Sequence, residues 1–297
     1  MYKITTMPKG RLLPFCGQTT DQHADLSTLW LDTEDTNSYK KYLKYYHNPS
    51  LPEKYRLDGD WTYEFNSLGY RGENYDPQAK FHIYTYGCSY TYGFGIKQHQ
   101  TFSHVFKERL ASEKKLSPEE VNLLNFSQRG GSNDYIARTI ISQCSQVKPD
   151  LALVLFTTKE RIEHVSGKEQ MNIGSWIKNT ETDNYFKLYS EEMGMINLLK
   201  NIMLVQQFFL LNNIPNILSV YCHHEFSNPI FKENSVISQL MAQINWNAIC
   251  PFSIFDFLCD VGRMCHHPGP LSNLCFGRKL FVFYKKLNET PSLKLRK

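Results

Sequence analysis

The chain has 297 residues, 41% of them apolar and 21% charged, which fits a globular protein with a sizeable core and excludes a disordered one. Its net charge of +4 is dispersed, apart from a small basic tail of Lys294, Arg296 and Lys297. Without a basic stripe, nucleic acid is not an expected partner.

At the N-terminus, MYKITTMPKGRLLPF contains no apolar run of signal-peptide length. Residues 1–78 are polar, rich in tyrosine and scattered with proline, and read as an extension packed on a main domain spanning 79–297. Within the extension, SYKKYLKYYHNPS suggests one short helix, and WTYEFNSLGYRG a strand ending in a glycine turn. From residue 79 strands and helices alternate. Strands are expected at 81–86, 122–126, 151–156, 214–221 and 252–257, with helices at 101–113, 133–146, 191–212, 230–247 and 270–287. The apolar stretch 196–211 is broken by Asn197, Lys200, Asn201, Gln206 and Gln207, so it reads as a buried helix and not a membrane span. Eight cysteines without an export signal read as reduced thiols, and a cytoplasmic location is expected. The alternation predicts an α/β three-layer sandwich around a mostly parallel five-stranded sheet of flavodoxin-like type. In such sheets ligands sit beyond the carboxyl ends of the strands, which selects the loops at 87–96, 127–133, 157–176, 222–227 and 258–273.

Those loops hold the reactive residues. FHIYTYGCSYTYGFGI ends a strand at Gly87-Cys88-Ser89, NFSQRGGSND follows the second strand, and CHHPGPLSN precedes the last helix. A strand-end serine, amides from a glycine/asparagine loop and a late histidine are the parts of a hydrolase: nucleophile, oxyanion donors and general base. Other chemistries fit less well. No Gly-Lys-Ser/Thr follows the glycines, as a phosphate loop requires, and the third glycine of a dinucleotide fingerprint falls on Gln98. Cys88, the competing nucleophile, reads as a small buried hydrophobe. Cys-His-His occurs at 222–224 and 265–267, but without the spacing of a zinc site, so no metal is expected. Arg161, beside Glu160 and Glu163, reads either as a clamp for a carboxylate or sugar hydroxyls or as a surface ion pair. The 165–187 connection is long enough for a lid or binding loop. Tyr90, Tyr92, Phe94 and Trp176 offer an aromatic floor for a sugar ring or simply core packing.

The order of these segments resembles the SGNH (GDSL-like) hydrolase superfamily, whose four blocks carry Ser, Gly, Asn and His. YTYGCSYTYGFG resembles the first block, with Cys88 where many members have Asp. NFSQRGGSND resembles the second, HHPGPLSN the last, and FNSLGYRG (65–72) a segment upstream of the first. The likeness covers about residues 61–285. It implies Ser89 as nucleophile, His267 as base, and the Ser89 and Gly130 N–H groups as oxyanion donors. Two positions depart from the pattern. Thr158 stands where the third block has its Asn, with Asn133 as a substitute donor. Met264 stands where the acid is placed, leaving Asp260 or Asp256, help from His266, or a Ser-His dyad. The activity implied is a serine esterase needing no cofactor. It would act on an acylated small molecule or polysaccharide, with O-acetyl carbohydrate as substrate and Tyr90, Arg161 and Trp176 as its contacts. An O-acyltransferase, or a degenerate glycan-binding or structural module on the same scaffold, uses the same residues. A metal-dependent hydrolase built on the paired histidines is the remaining alternative.

Overall fold

The computed structural model describes residues 27–28, 36–58, 61–166, 169–263 and 266–289. The N-terminal stretch read for export signals, the tail Lys294, Arg296 and Lys297, and the pair Met264-Cys265 lie outside the described residues.

A short antiparallel pair, β1 (Ser27–Thr28) with β2 (Tyr63–Glu64), forms a sheet separate from the main one, and helix α1 (Thr36–Tyr45) lies between them in sequence. The sheet comprises β3 (Phe81–Tyr86), β4 (Val121–Asn125), β5 (Leu151–Phe156) and, after a separate antiparallel hairpin of β6 (Ile162–Ser166) and β7 (Glu169–Ile173), β8 (Asn216–Val220). The strands run parallel in the order β4-β3-β5-β8. The helices are α2 (Ser89–Tyr92), α3 (Phe102–Lys114), α4 (Asn133–Cys144), α5 (Thr180–Leu188), α6 (Glu191–Asn212), α7 (Pro229–Glu233), α8 (Ser235–Gln243) and α9 (Pro270–Glu289).

Side-chain alternation along the strands assigns the layers. Ile83 faces Phe106 and Leu110 of α3 and Phe276 and Leu280 of α9. Tyr84 and Tyr86 face the opposite way, toward Ile136 and Ile140 of α4, Leu198 and Ile202 of α6, and Ile237 of α8. Both faces are therefore covered, which is why LALVLF in β5 is apolar throughout and fully buried. Each such side chain contributes about 1.5–3 kcal/mol of burial. Among the described residues, α6 alone is long and apolar enough to cross a membrane; here it packs Leu198, Leu199, Ile202, Val205 and Phe209 into the core.

The sheet has four strands, one fewer than the sequence suggests. The expected strand at 252–257 is a short 3-10 turn, Ile254–Phe257, nucleated by a capping box between Ser253 and Asp256. Pairing at that edge shrinks to one parallel bridge, Leu218 to Ile249, with Cys250 N–H donating to Leu218 O at 2.7 Å. Pro251 follows and has no N–H with which to continue the ladder. The expected helix at 230–247 is split at Asn234, whose side chain caps α8 by accepting from Val236 N and Ile237 N. In place of one long loop at 165–187, the structure has the β6–β7 hairpin followed by α5.

Before the sheet, Tyr42 and Leu57 pack against Ile96, and Tyr63 and Phe65 against Tyr92 and Phe94. Residues between 42 and 65 thus rest on the segment that follows β3.

Candidate active site

β3 ends at Tyr86, and Gly87-Cys88 turns the chain into the single helical turn α2, whose first residue is Ser89. The first N–H groups of a helical turn have no partner within it, so the turn presents donors beside the Ser89 hydroxyl. Gly93 closes α2 in the left-handed region at φ 79°, which glycine adopts without a Cβ clash. Beneath lies Arg71, 2% exposed, donating to the carbonyls of Tyr92 (2.9 Å), Gly93 (2.6 Å) and Ile96 (2.8 Å), with its guanidinium 4.3 Å over the Tyr63 ring. Asn125 of β4 holds the Thr91 carbonyl at 3.1 Å.

Arg71 is delivered by the FNSLGYRG segment. Asn66 folds that loop by accepting from Leu68 N and Tyr70 N, and Phe65 bridges Arg71. Two residues on, Glu73 accepts from Lys107, Asn122 and Leu123 N, tying the loop to α3 and β4. Burial pushes the Glu73 carboxyl upward, but its bonds with His104, Leu123 N–H and Lys107 prevail and hold it at about 2.

Opposite the serine, His267 Nε2 lies 2.8 Å from Ser89 Oγ. The imidazole is gripped edge-on by two rings, Tyr90 and Phe94, each with its centroid 5.2 Å away. Tyr90 also donates its hydroxyl to the His266 carbonyl at 3.0 Å and lies 3.4 Å from the Tyr221 hydroxyl. Burial, then the Tyr221 contact, raises the Tyr90 phenol above its ordinary range and keeps it a donor. Val261 bridges Pro268, and Gly262 N donates to His267 O.

The remaining sequence-predicted residues are placed as follows. The Asp260 carboxylate sits at the start of α9, accepting from Leu271 N, Ser272 N and Ser272 Oγ at 2.6–2.8 Å; Gly269 leaves room for it, since a Cβ there would meet its Oδ2 at 2.6 Å. Asp256 is the carboxylate of the Ser253 capping box. Asn133 is fully buried, its amide donating to the Thr157 and Thr158 carbonyls and accepting from Thr157 N. The Thr158 hydroxyl donates to Glu160 at 2.6 Å. Asn133 and Thr158 therefore spend these groups on the loop after β5. Cys88 is fully buried in the core between the sheet, α3 and α9. Gly130, at φ 71°, lines the same cavity as Ser89 and packs under Trp176.

That cavity has a volume of about 750 Å³ and is bordered by Ser89, His267, Gly130, Arg161 and Trp176, a size suited to a small ligand. Arg161 lies 4.4 Å over the half-exposed Trp176 ring. Asn172 of β7, which sequence reasoning did not single out, accepts from Ser132 N and donates to Gln128 Oε1, joining the hairpin to the Gly130 loop. Arg71, Arg129 and Tyr221 were likewise not assigned. Of these, Arg71 lies in FNSLGYRG and Arg129 in NFSQRGGSND, and Tyr221 lies in neither.

No family model matches the chain, and no curated protein does. Among solved structures, the chain is similar to the psychrotrophic esterase EstA from Pseudoalteromonas sp. (13% identity, 71% of this chain and all of that one, TM-score 0.44). It is also similar to TesA (11% identity, 69% and 98%, TM-score 0.45) and to the acetyl xylan esterase AlAXEase (14% identity, 68% and 98%, TM-score 0.39).

Proposed function

We propose that this protein is a serine esterase of the SGNH type that removes acyl groups from hydroxyls of a carbohydrate. The observation that carries the reading is the 2.8 Å contact between Ser89 Oγ and His267 Nε2 at the edge of a cavity of about 750 Å³. With the ring proton on Nδ1, Nε2 accepts the serine proton as Oγ attacks the acyl carbon. The developing oxyanion is held by the N–H groups of Ser89 and Gly130. His267 then returns its proton to the departing alkoxide, leaving acyl-Ser89, and water repeats the sequence in reverse to free the acid and restore the hydroxyl. The imidazole is held by Tyr90 and Phe94, while Asp260 fixes the helix start behind it. Aromatic walls with Asn172 and Gln170 between them suit a sugar ring.

Hydrolysis of 4-nitrophenyl acetate tests the chemistry without assuming the alcohol. Wild-type turnover that vanishes in Ser89→Ala supports the reading; turnover that survives in Ser89→Ala overturns it.

A further inference from the structure

The cavity is unevenly charged. Arg129 and Arg161 both border it, and among the described residues no Asp or Glu does. Arg129 lies against Phe94, its guanidinium 5.2 Å from that ring, close to His267.

Arg161 is the more telling of the two. Its side chain is 13% exposed, and its Nε and Nη1 are buried with no hydrogen-bond acceptor among the described residues. The nearest carboxylate, Glu160, stands 3.9 Å from Nε, beyond hydrogen-bond reach, and receives the Thr158 hydroxyl instead. Trp176 below offers a cation–π face. Burial raises the phenols of both Tyr90 and Tyr221 above their ordinary range, and the Arg161 charge opposes that rise in part. Glu160 balances the charge at 3.9 Å but leaves two buried N–H groups of the guanidinium without an acceptor, which is costly, and the residue lines the cavity.

We infer that the acylated substrate carries an anionic group, a carboxylate, which Arg161 binds on the Trp176 platform while the ester lies over Ser89. This rests on the esterase reading for the identity of the reaction, but its recognition step does not. A guanidinium suits any two-oxygen anion, so a phosphomonoester is the other source of the same chemistry. The substrate class is thus an O-acylated acidic sugar or sugar phosphate, with the uronic acid favoured because a planar carboxylate matches the planar guanidinium.

Two measurements test this. Calorimetry of unacetylated methyl glucuronoside, its uncharged carboxamide and glucose 6-phosphate reads recognition alone. Rates of deacetylation for the O-acetylated forms of the same three read it in turnover. The expected result is at least tenfold tighter binding of the glucuronoside than of its amide. The kcat/KM ratio should match, and both preferences should fall below about threefold in Arg161→Gln. A sugar phosphate preferred over the uronic acid, with the preference lost in Arg161→Gln, keeps the anion site and overturns the carboxylate. Absence of saturable binding by either anion, equal binding of acid and amide, or a preference unchanged in Arg161→Gln overturns the inference. Binding that behaves as expected without any hydrolysis, 4-nitrophenyl acetate included, overturns the esterase reading and leaves the anion site standing.

Discussion

Ser89 and His267 approach to 2.8 Å, yet the two sides of that contact are built differently. Ser89 sits on backbone fixed from several directions. A central parallel strand leads into it, Gly93 ends its helical turn, and Arg71 and Asn125 occupy the carbonyls of Thr91, Tyr92, Gly93 and Ile96. His267 lies in the segment leading into α9, steadied by ring edges, the Tyr90 bond to the His266 carbonyl, and Asp260 at the following helix start. The proposed nucleophile is thus held by the core of the fold and the proposed base by a loop. Damage on the serine side should appear as lost stability together with lost rate, and damage on the histidine side mainly as lost rate.

The largest effect is expected at the contact itself. His267→Gln should lower kcat for 4-nitrophenyl acetate by roughly 10³-fold or more, with a melting temperature close to wild type. Next is Arg71→Met, which removes the side-chain donor from the Tyr92, Gly93 and Ile96 carbonyls, of which Gly93 O keeps the 3.3 Å bond from Ile96 N. It should destabilise the fold by about 3 kcal/mol in urea unfolding, since each such loss costs ~1–3 kcal/mol, and also slow turnover. Unchanged stability there would erase the distinction between the two sides.

Glu73 gives the serine side a pH signature. Its folded-state pKa is depressed from 4.5 to about 2. The stabilisation is therefore complete above about pH 4.5 and is lost as pH falls through 2, at most about 3 kcal/mol. Urea midpoints measured across that window should decline in wild type and decline less in Glu73→Gln. The smallest effect is expected on the histidine side, at Asp260→Asn. Weakening a helix cap should cost about 1 kcal/mol and change kcat less than tenfold. A loss near 10⁴-fold, the scale for removing a triad carboxylate, would instead make Asp260 the acid acting on His267.

Legibility in the sequence followed the same division. The β-prone run FHIYTY ahead of Gly87 gave β3 to the residue, and LALVLF gave β5, because a strand buried on both faces is apolar throughout. The 252–257 run looked equally strand-like. What decides it is a capping box and a preceding proline at a sheet edge, local chemistry that outweighs aromatic content. Ser89 and His267 were singled out by the resemblance of their segments to the first and last SGNH blocks, and the fold brings the two side chains to 2.8 Å. The tasks of Asn133, Thr158 and Asp260 were not, since each depends on which carbonyl or amide a folded loop brings within 3.5 Å. Arg71 stood in a legible segment, but that it would support a turn about twenty residues downstream is a property of the tertiary fold.

The central claim is that Ser89, activated by His267, is the nucleophile. Its most direct test is covalent labelling by a fluorophosphonate, read by intact mass and peptide mapping. One adduct on Ser89, absent in Ser89→Ala and strongly slowed in His267→Gln, is the predicted result. An adduct on another residue, or labelling that persists in Ser89→Ala, would contradict it.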